Sequence, residues 1–346
     1  MNVNWRYRAG DLVAGIGIGG VVALTHHFLV PESLGIVLGA ILGMLVGMGA
    51  QMLASLFLGG ILGSIEMMVP GMFVGMLGMV PPILGLHNLW VELWLGVSLG
   101  FLVFLGFAIW DGRTQGMLQS VRHPYALEKS SPPTVKSSPA SAGWWNAPWF
   151  YDVLEEAGNR RRASAQRQLF RTMHGRVLFV AAGTGLNFPQ FPPGKNIVAI
   201  DLSPPMLEAA RARAERYDGD ISLEQADVQQ LPFAGESFDT AASASTFCSV
   251  ADPVKGLREL YRVLKPGGTL LMFEHVRSRN PVLGAELYLL NLALRYLGPS
   301  MNRDTVGNVQ RAGFVVDRVV CAYLDIFLAI EAHKPELEAA GAPERS

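Results

Sequence analysis

The chain has 346 residues, half of them apolar and only 16% charged, with a formal net charge of -1. That length holds two domains. The near-neutral balance excludes the basic face that nucleic-acid binding requires. Two distant cysteines, Cys248 and Cys321, exclude a disulfide framework and a zinc site. They point instead to a reduced, cytosol-facing soluble part.

Charge is unevenly spread. Between Arg8 and Arg113 there is no Lys or Arg, and the stretch is too long and apolar for a signal peptide. A spanning helix needs ~20 apolar residues. The pattern predicts four: about 11–30, 34–57, 61–82 and 89–110. Pro31-Glu32-Ser33, Gly59-Gly60 and Pro81-Pro82 with His87-Asn88 mark the reversals. Arg6 and Arg8 before the first helix, and Arg113 and Arg122 after the last, place both ends in the cytoplasm, at a bacterial inner membrane.

Gly35, Gly39, Gly43 and Gly47 repeat every four residues, as do Gly71 and Gly75. Such spacing lets helix backbones approach closely in lipid, within the chain or between copies of it. Beside it run Met44-Met48-Met52 and Met68-Met72-Met76, which a reversal near Gly60 pairs at equal depth. Methionine rows either fill gaps against glycine grooves or offer thioethers to a soft cation. No Cys or His joins them, so packing is the expectation and no metal site is assigned. Glu66, mid-helix in this register or near an interface if the Gly59-Gly60 turn is displaced, is a candidate for transport or ligand binding. His26, His27 and His87 read as interfacial residues.

Residues 128–143 are rich in Ser, Pro and Lys, cannot bury a core, and read as a tether. Trp144-Trp145-Asn146-Ala147-Pro148-Trp149-Phe150-Tyr151-Asp152 then packs five aromatic residues into nine positions. This is a membrane contact, a lid over a site, or a staple onto the next domain.

The remainder alternates strands and helices. Val177–Val180 is an apolar run leading into Ala181-Ala182-Gly183-Thr184-Gly185, and a second run, Asn196–Ile200, ends in Asp201. Buried parallel strands read this way, and glycines at a strand's carboxyl end let a ligand approach the backbone. An acid closing the next strand can hold both ribose hydroxyls of a nucleoside. Gly-Lys-Ser/Thr is absent, which argues against a P-loop. Further on come a helix at 204–217 with Ser203 as N-cap, a strand at 221–224 and another at 239–247. Helix 253–264, strand 269–274, an apolar stretch at 282–297, helix 304–312 and strands at 314–321 and 325–332 complete the pattern. Together they predict an α-helical membrane domain of about four transmembrane helices followed by a Rossmann-like, doubly wound α/β domain. The expected divisions are 1–115, a linker at 116–143, the α/β domain at 144–335 and a tail at 336–346.

Four motifs occur in order: Val177-Leu178 through Gly183-Thr184-Gly185; Ile200-Asp201-Leu202-Ser203-Pro204 with Met206-Leu207; Ala226-Asp227 through Leu231-Pro232-Phe233 to Ser237-Phe238-Asp239; and Leu257-Arg258-Glu259-Leu260-Tyr261-Arg262-Val263-Leu264-Lys265-Pro266-Gly267-Gly268. The chain thereby resembles the class I S-adenosylmethionine-dependent methyltransferases over about 145–335. Within them it is similar to the quinone-biosynthesis C-methyltransferases, the phospholipid N-methyltransferases and, through Phe247–Val250, Phe273–Val276, Asn302–Thr305 and Arg311–Phe314, the methyltransferase-like group acting on small thiols.

The resemblance implies S-adenosylmethionine as cofactor, with Ala181, Gly183, Thr184 and Gly185 approaching its methionine part and Asp201 its ribose. Leu202 and Met206 would flank adenine, Asp227 and Val228 read its amino edge, Thr246 sit beside the methyl group, and Tyr151 belong to the lid. Asp239 would be a structural acid. His275 is the candidate base, or a cap or surface residue, with Glu274 beside it to orient or to bind substrate. Phe247, Cys248, Arg303 and Asp304 would face the acceptor, Cys248 as a small wall residue, while Asp304 equally suits a cap on the following helix. Phe179 and Ala181 depart from the family's usual acid and glycine, which puts cofactor affinity in question. The expected activity is methyl transfer to a lipophilic or membrane-delivered acceptor: a small thiol, a phospholipid amine or a quinone. The competing expectation is a transport or sensing module for a small molecule or soft metal, whose cytosolic domain modifies the cargo.

Overall fold

A computed structural model describes residues 5–117, 147–294, 300 and 302–336. The expected tether at 128–143, Trp144, Trp145, Arg122 and nearly all of the expected tail lie outside the described residues. The chain divides into two compact units. One comprises residues 1–113 with 152–162, and the other residues 114–151 with 163–346.

The helical unit contains α1 (Trp5–Leu29), α2 (Gly35–Leu62), α3 (Ser64–Met76), α4 (Val80–Leu84) and α5 (Leu89–Thr114). The segments Trp5–Leu29, Glu32–Leu62, Ser64–Leu84 and Leu89–Thr114 are long and apolar enough to cross a membrane. Val37, Leu53, Phe57, Trp90 and Trp94 point outward and are largely exposed. That is an outer surface a water-soluble bundle would bury. Inside it, Ala14, Ile18, Val22, Met67, Val74 and Phe104 form one apolar core.

The second reversal is displaced from its expected place. α2 runs through Gly59 and Gly60 and ends at Gly63, whose φ of 107° suits glycine alone. The register of α2 against α3 moves with it. Glycines, not methionines, meet across the pair: a Cβ on Gly43 would lie 2.3 Å from the Gly78 carbonyl oxygen, and one on Gly47 2.3 Å from that of Gly75. Met44 and Met48 are half-buried and Met52 is exposed, so the first methionine row flanks the seam, whereas Met72 of the second is buried. A second seam joins α1 to α5, where a Cβ on Gly19 would come 2.0 Å from the Gly96 oxygen and one on Gly100 2.1 Å from that of Gly15. Its signal, Gly96-Val97-Ser98-Leu99-Gly100, was legible but unread.

Polar groups in this unit are paired. His26 Nδ1 and His27 Nδ1 lie 2.9 and 3.2 Å from the two oxygens of buried Glu92. The sequence reading of His26 as an interfacial residue is thus corrected: it is buried against α5. Glu66 sits in the first turn of α3, not mid-helix, and pairs with Arg162.

The second unit is built on a seven-stranded sheet ordered β3-β2-β1-β4-β5-β7-β6. Its strands are β1 (Arg176–Val180), β2 (Asn196–Asp201), β3 (Asp220–Gln225), β4 (Phe238–Ala244), β5 (Leu264–His275), β6 (Val315–Tyr323) and β7 (Phe327–His333). Only β7 runs against its neighbours. The flanking helices are α6 (Pro148–Phe170), α7 (Pro204–Ala214), α8 (Pro253–Val263), α9 (Pro281–Leu294) and α10 (Thr305–Arg311). α6 is grouped with both units, 152–162 with the helices and 163–170 with the sheet. The expected boundary at 144 is therefore not where the compact units divide. Residues 116 and 117 also depart from the tether reading: Gly116 N donates to Cys321 O (2.9 Å) and Cys321 N to Met117 O (3.2 Å).

Local causes are clear. β1 and β2 are buried along nearly their full length, as strands covered on both faces must be. Asp252 caps α8 by accepting from Lys255 N, with Pro253 at the first helical position. Asp239 accepts from Arg176 N (2.8 Å) and Lys265 Nζ (2.6 Å), which hold its carboxyl below the usual range. It is the structural acid expected. Strand order reverses between β1 and β4, and in such sheets ligands bind in the crevice outside the carboxyl ends at that point.

Candidate active site

The crevice is lined first by the turn after β1. Ala181 adopts φ 53°, Gly183 φ 55° and Gly185 φ 80°. A non-glycine residue held left-handed costs ~1–2 kcal/mol, and such strain concentrates at functional sites. The Ala181 that departs from the family's glycine therefore keeps the glycine's backbone conformation. Gly183 N donates to Asp201 Oδ2 and Ser203 N to Asp201 Oδ1, both at 2.8 Å. Burial raises the Asp201 carboxyl, and these backbone N–H groups oppose it. Each oxygen keeps a second lone pair for a ligand hydroxyl.

Phe179 is fully buried among Phe170, Phe188 and Phe191, with the Phe191 ring centroid 4.8 Å away. An aromatic cluster fills the space beneath the glycine turn, and an acid there would be stranded. Over the turn, an atom at the Cβ position of Gly183 would lie 3.7 Å from the Tyr151 hydroxyl, so Tyr151 covers it within the same unit.

On the β2–β3 side, Ala226 N donates to Asp201 O (3.2 Å), which sets Asp227 beside Asp201. Asp227 Oδ1 accepts from Gln229 N at 2.8 Å, an Asx-type turn that fixes its loop. Leu202 is about half exposed while Met206 lies on the buried face of α7. Val228 is half-buried and packs on the core. Thr184 is buried, and Arg213 Nη1 donates to its carbonyl at 2.8 Å.

On the β4–β5 side, Glu274 decides the geometry. It is fully buried and accepts from Ser243 Oγ (2.7 Å), Thr246 N (3.0 Å) and Phe247 N (3.1 Å). Burial pushes its carboxyl up to about 7 against those three donors. With it, Ser245 takes φ 52°, and Thr246 Oγ1 reaches Val180 O at 3.3 Å, bringing the ends of β1 and β4 together. All these donors are protein groups, so Glu274 shapes the loop; the orienting role is the one its geometry matches. Ser243 and Ser245 lacked any marker in a run of small residues.

The other expected acceptor residues separate. The Phe247 ring lies in the hydrophobic core. Cys248 is buried, its Sγ 3.4 Å from Ser245 O, and its carbonyl accepts from Ser300 N at 2.9 Å. Arg303 Nη2 donates to Val250 O (2.8 Å), and burial pulls its guanidinium down. Asp304 takes the capping role: it accepts from Gly307 N (3.0 Å) and pairs with Arg311 (2.9 Å). His275 is buried, its ring edge-on to Phe327 at 5.3 Å, so the surface alternative is excluded.

Two left-handed glycines, a half-buried acid presenting free lone pairs and an exposed leucine beside it fit a nucleoside carrying a short amino-acid arm. The methyltransferase domain family matches residues 178–272. The chain is 35% identical over 169 residues to the demethylmenaquinone methyltransferase of Thermus thermophilus, covering 48% of this chain and 73% of that protein. It is 39% identical over 143 residues to a ubiquinone/menaquinone biosynthesis C-methyltransferase of a Geobacter strain, 38% of this chain and 61% of that one. Human thiol S-methyltransferase is 33% identical over 142 residues, 37% and 57% of the respective chains. The chain thus spans between about half and three quarters of these relatives' length. A solved S-adenosylmethionine-dependent methyltransferase from Methanosarcina mazei aligns with a TM-score of 0.40 at 20% identity, over 49% of this chain and 97% of that one. This chain belongs to the class I S-adenosylmethionine-dependent methyltransferases, and S-adenosylmethionine is its cofactor.

Proposed function

We propose that the protein is a membrane-anchored methyltransferase acting on a lipophilic or membrane-associated acceptor, a small thiol, a phospholipid amine or a quinone, from the cytoplasmic side. The observation that carries this reading is a methyltransferase unit in the same chain as four apolar helices whose large apolar side chains face outward. Anchoring raises the local concentration of a bilayer-borne acceptor without any new contact. Relatives named for quinone and thiol methylation support those two acceptor classes.

In this reading Gly183 and Gly185 let the backbone approach the methionine arm. Asp201 holds the ribose, and Leu202, Met206, Asp227 and Val228 surround the adenine. Tyr151 excludes water above the glycine turn, and Thr246 fixes the spacing between β1 and β4. The bound cofactor supplies a sulfonium-activated methyl group. In-line displacement on such a donor draws most of its catalysis from alignment and desolvation. The glycine seams support packing over a transport path, because backbones in contact leave no lumen along those seams.

The test is labelled methyl transfer by the full chain in detergent, with a hydrophobic thiol, a naphthohydroquinone and phosphatidylethanolamine as acceptors. Labelled product from one of them, lost in Asp201→Ala, is expected. Cofactor binding without transfer to any lipophilic acceptor, but with transfer to a water-soluble one, would overturn the lipophilic assignment.

A further inference from the structure

The mechanism above leaves one buried acid unused. Glu286 lies on α9, a helix whose sequence, Pro281-Val-Leu-Gly-Ala-Glu-Leu-Tyr, otherwise reads as plainly apolar. Its side chain is 4% exposed, and neither carboxylate oxygen has a hydrogen-bond partner among the described residues. Leu283, Glu286, Leu287 and Asn291 are the buried positions of the helix. Their spacing of three, four and eight from Leu283 puts them on one inward face. An acid on that face instead of a leucine disfavours folding, since a buried polar group left unmade costs ~1–3 kcal/mol or more. Burial pushes the carboxyl up to about 9, and no charge among the described residues offsets it.

The placement of α9 gives that cost a purpose. The excursion 276–304 leaves the sheet at the carboxyl end of β5, next to Glu274 and His275. It returns to the same point, where Arg277 N donates to Arg303 O at 3.0 Å. Its first turn is pinned by Asp325, which accepts from Ser278 Oγ (2.7 Å) and Arg279 N (2.7 Å). Its return limb rests on the loop after β4 through Ser300 N–Cys248 O and Arg303 Nη2–Val250 O. That limb carries three more buried polar atoms without a partner among the described residues: Asn302 Oδ1, Arg303 Nε and Thr305 Oγ1. Both ends of the excursion therefore lie at the carboxyl end of the sheet, where the cofactor residues converge. Its described residues hold buried polar atoms without a partner among the described residues.

We propose that Glu286 receives the acceptor's X–H group, and that the acceptor is a protic nucleophile, a thiol or a hydroquinone hydroxyl; this rests on the methyltransferase reading of the same unit. The Glu286 carboxylate takes the proton from X–H, and the lone pair left on X forms the new bond to the methyl carbon. The electron pair of the methyl–sulfonium bond stays on sulfur, giving the neutral thioether. Carboxylate, X–H and sulfonium become carboxylic acid, X–CH3 and thioether, so charge and atoms balance. With the carboxyl pushed up to about 9, its proton-accepting form is strongly basic and grows as pH rises, which sets the expected rise of activity with pH.

The test uses the full chain in detergent, with 1-octanethiol, an alkyl thiol that stays protonated near neutral pH, and 1,4-naphthalenediol as probes. Cofactor affinity of Glu286→Gln should stay within about twofold of wild type by calorimetry. Its kcat/KM should fall ~100-fold or more, and the rise of wild-type activity with pH should disappear. Glu286→Asp should restore part of both. Glu286→Leu should melt higher than wild type and remain inactive, which keeps the test valid if the glutamine variant misfolds. Activity of Glu286→Gln within threefold of wild type, with an unchanged pH profile, would overturn the proposal, as would a wild type that binds cofactor but methylates neither probe. A wild type that binds no cofactor would instead sink the methyltransferase reading, and this proposal with it.

Discussion

Glu274 shows how the donors around a single residue set its role. It stands beside His275 at the end of β5, where a base is expected, yet its oxygens are taken by Ser243 Oγ, Thr246 N and Phe247 N. Three donors favour the charged form, but complete burial outweighs them and the folded carboxyl titrates near 7, against 4.5 for an unperturbed glutamate. Between those values the native state binds a proton that the unfolded chain has lost. Stability must then fall as pH rises, by ~1.4 kcal/mol per pH unit for one fully linked proton. The contribution is fully present below pH 4.5 and lost above 7. Thermal unfolding from pH 4.5 to 7 should show one proton's worth of slope less in Glu274→Gln than in wild type. An identical slope in both would mean that Glu274 does not titrate in this window.

At the scale of elements, periodicity carried the fold and contacts between helices did not follow from it. Every strand but β5 lies within three residues of its expected bounds, and β5 begins five residues early, at Leu264; the buried strands are continuous apolar runs and their turns carry Gly, Pro and Asp. The first two motifs are legible from residue type: glycine takes the left-handed backbone of residues 183 and 185 without the cost a side chain adds, and Asp201 closes its strand. Glu286 was not legible, since an acid within an apolar run shows nothing about which way it faces until the helix has a partner. The α2–α3 register was misplaced by the Gly59-Gly60 pair, although the φ of 107° falls at Gly63. The corrected register makes the seam testable. Gly47→Leu puts a side chain where a Cβ already lies 2.3 Å from the Gly75 oxygen, while Gly49 has open space around it. Overpacking of this kind costs ~1–3 kcal/mol. Gly47→Leu should raise protease sensitivity of the helical unit and Gly49→Leu should not. Equal behaviour of the two variants would contradict the seam.

For the whole molecule, charge distribution decides what counts as a complete unit. Residues 9–112 contain acids but no Lys or Arg. A charge in or near lipid is tolerated when it is paired. Glu92 finds its partners on α1. Asp11 and Glu66 do not: Asp11 is held by both terminal nitrogens of Arg161 at 2.7 and 2.6 Å, and Glu66 pairs with Arg162. These arginines lie 150 and 96 residues further along the chain, on the far side of the expected tether. Ser64 Oγ adds a third tie, donating to Leu154 O at 2.7 Å. Residues 152–162 are thus part of the helical unit in charge as well as in packing. Removing one partner of a buried pair typically costs ~3–5 kcal/mol, whereas replacing both can be nearly neutral. A chain ended after residue 117 should therefore accumulate poorly and melt early in detergent. Asp11→Asn with Glu66→Gln in that truncated chain should recover most of the loss, and the same two changes in the full chain should destabilise it by removing the carboxylates that Arg161 and Arg162 hold. A truncated chain as stable as the intact one would show that residues 1–117 fold without their distant arginines.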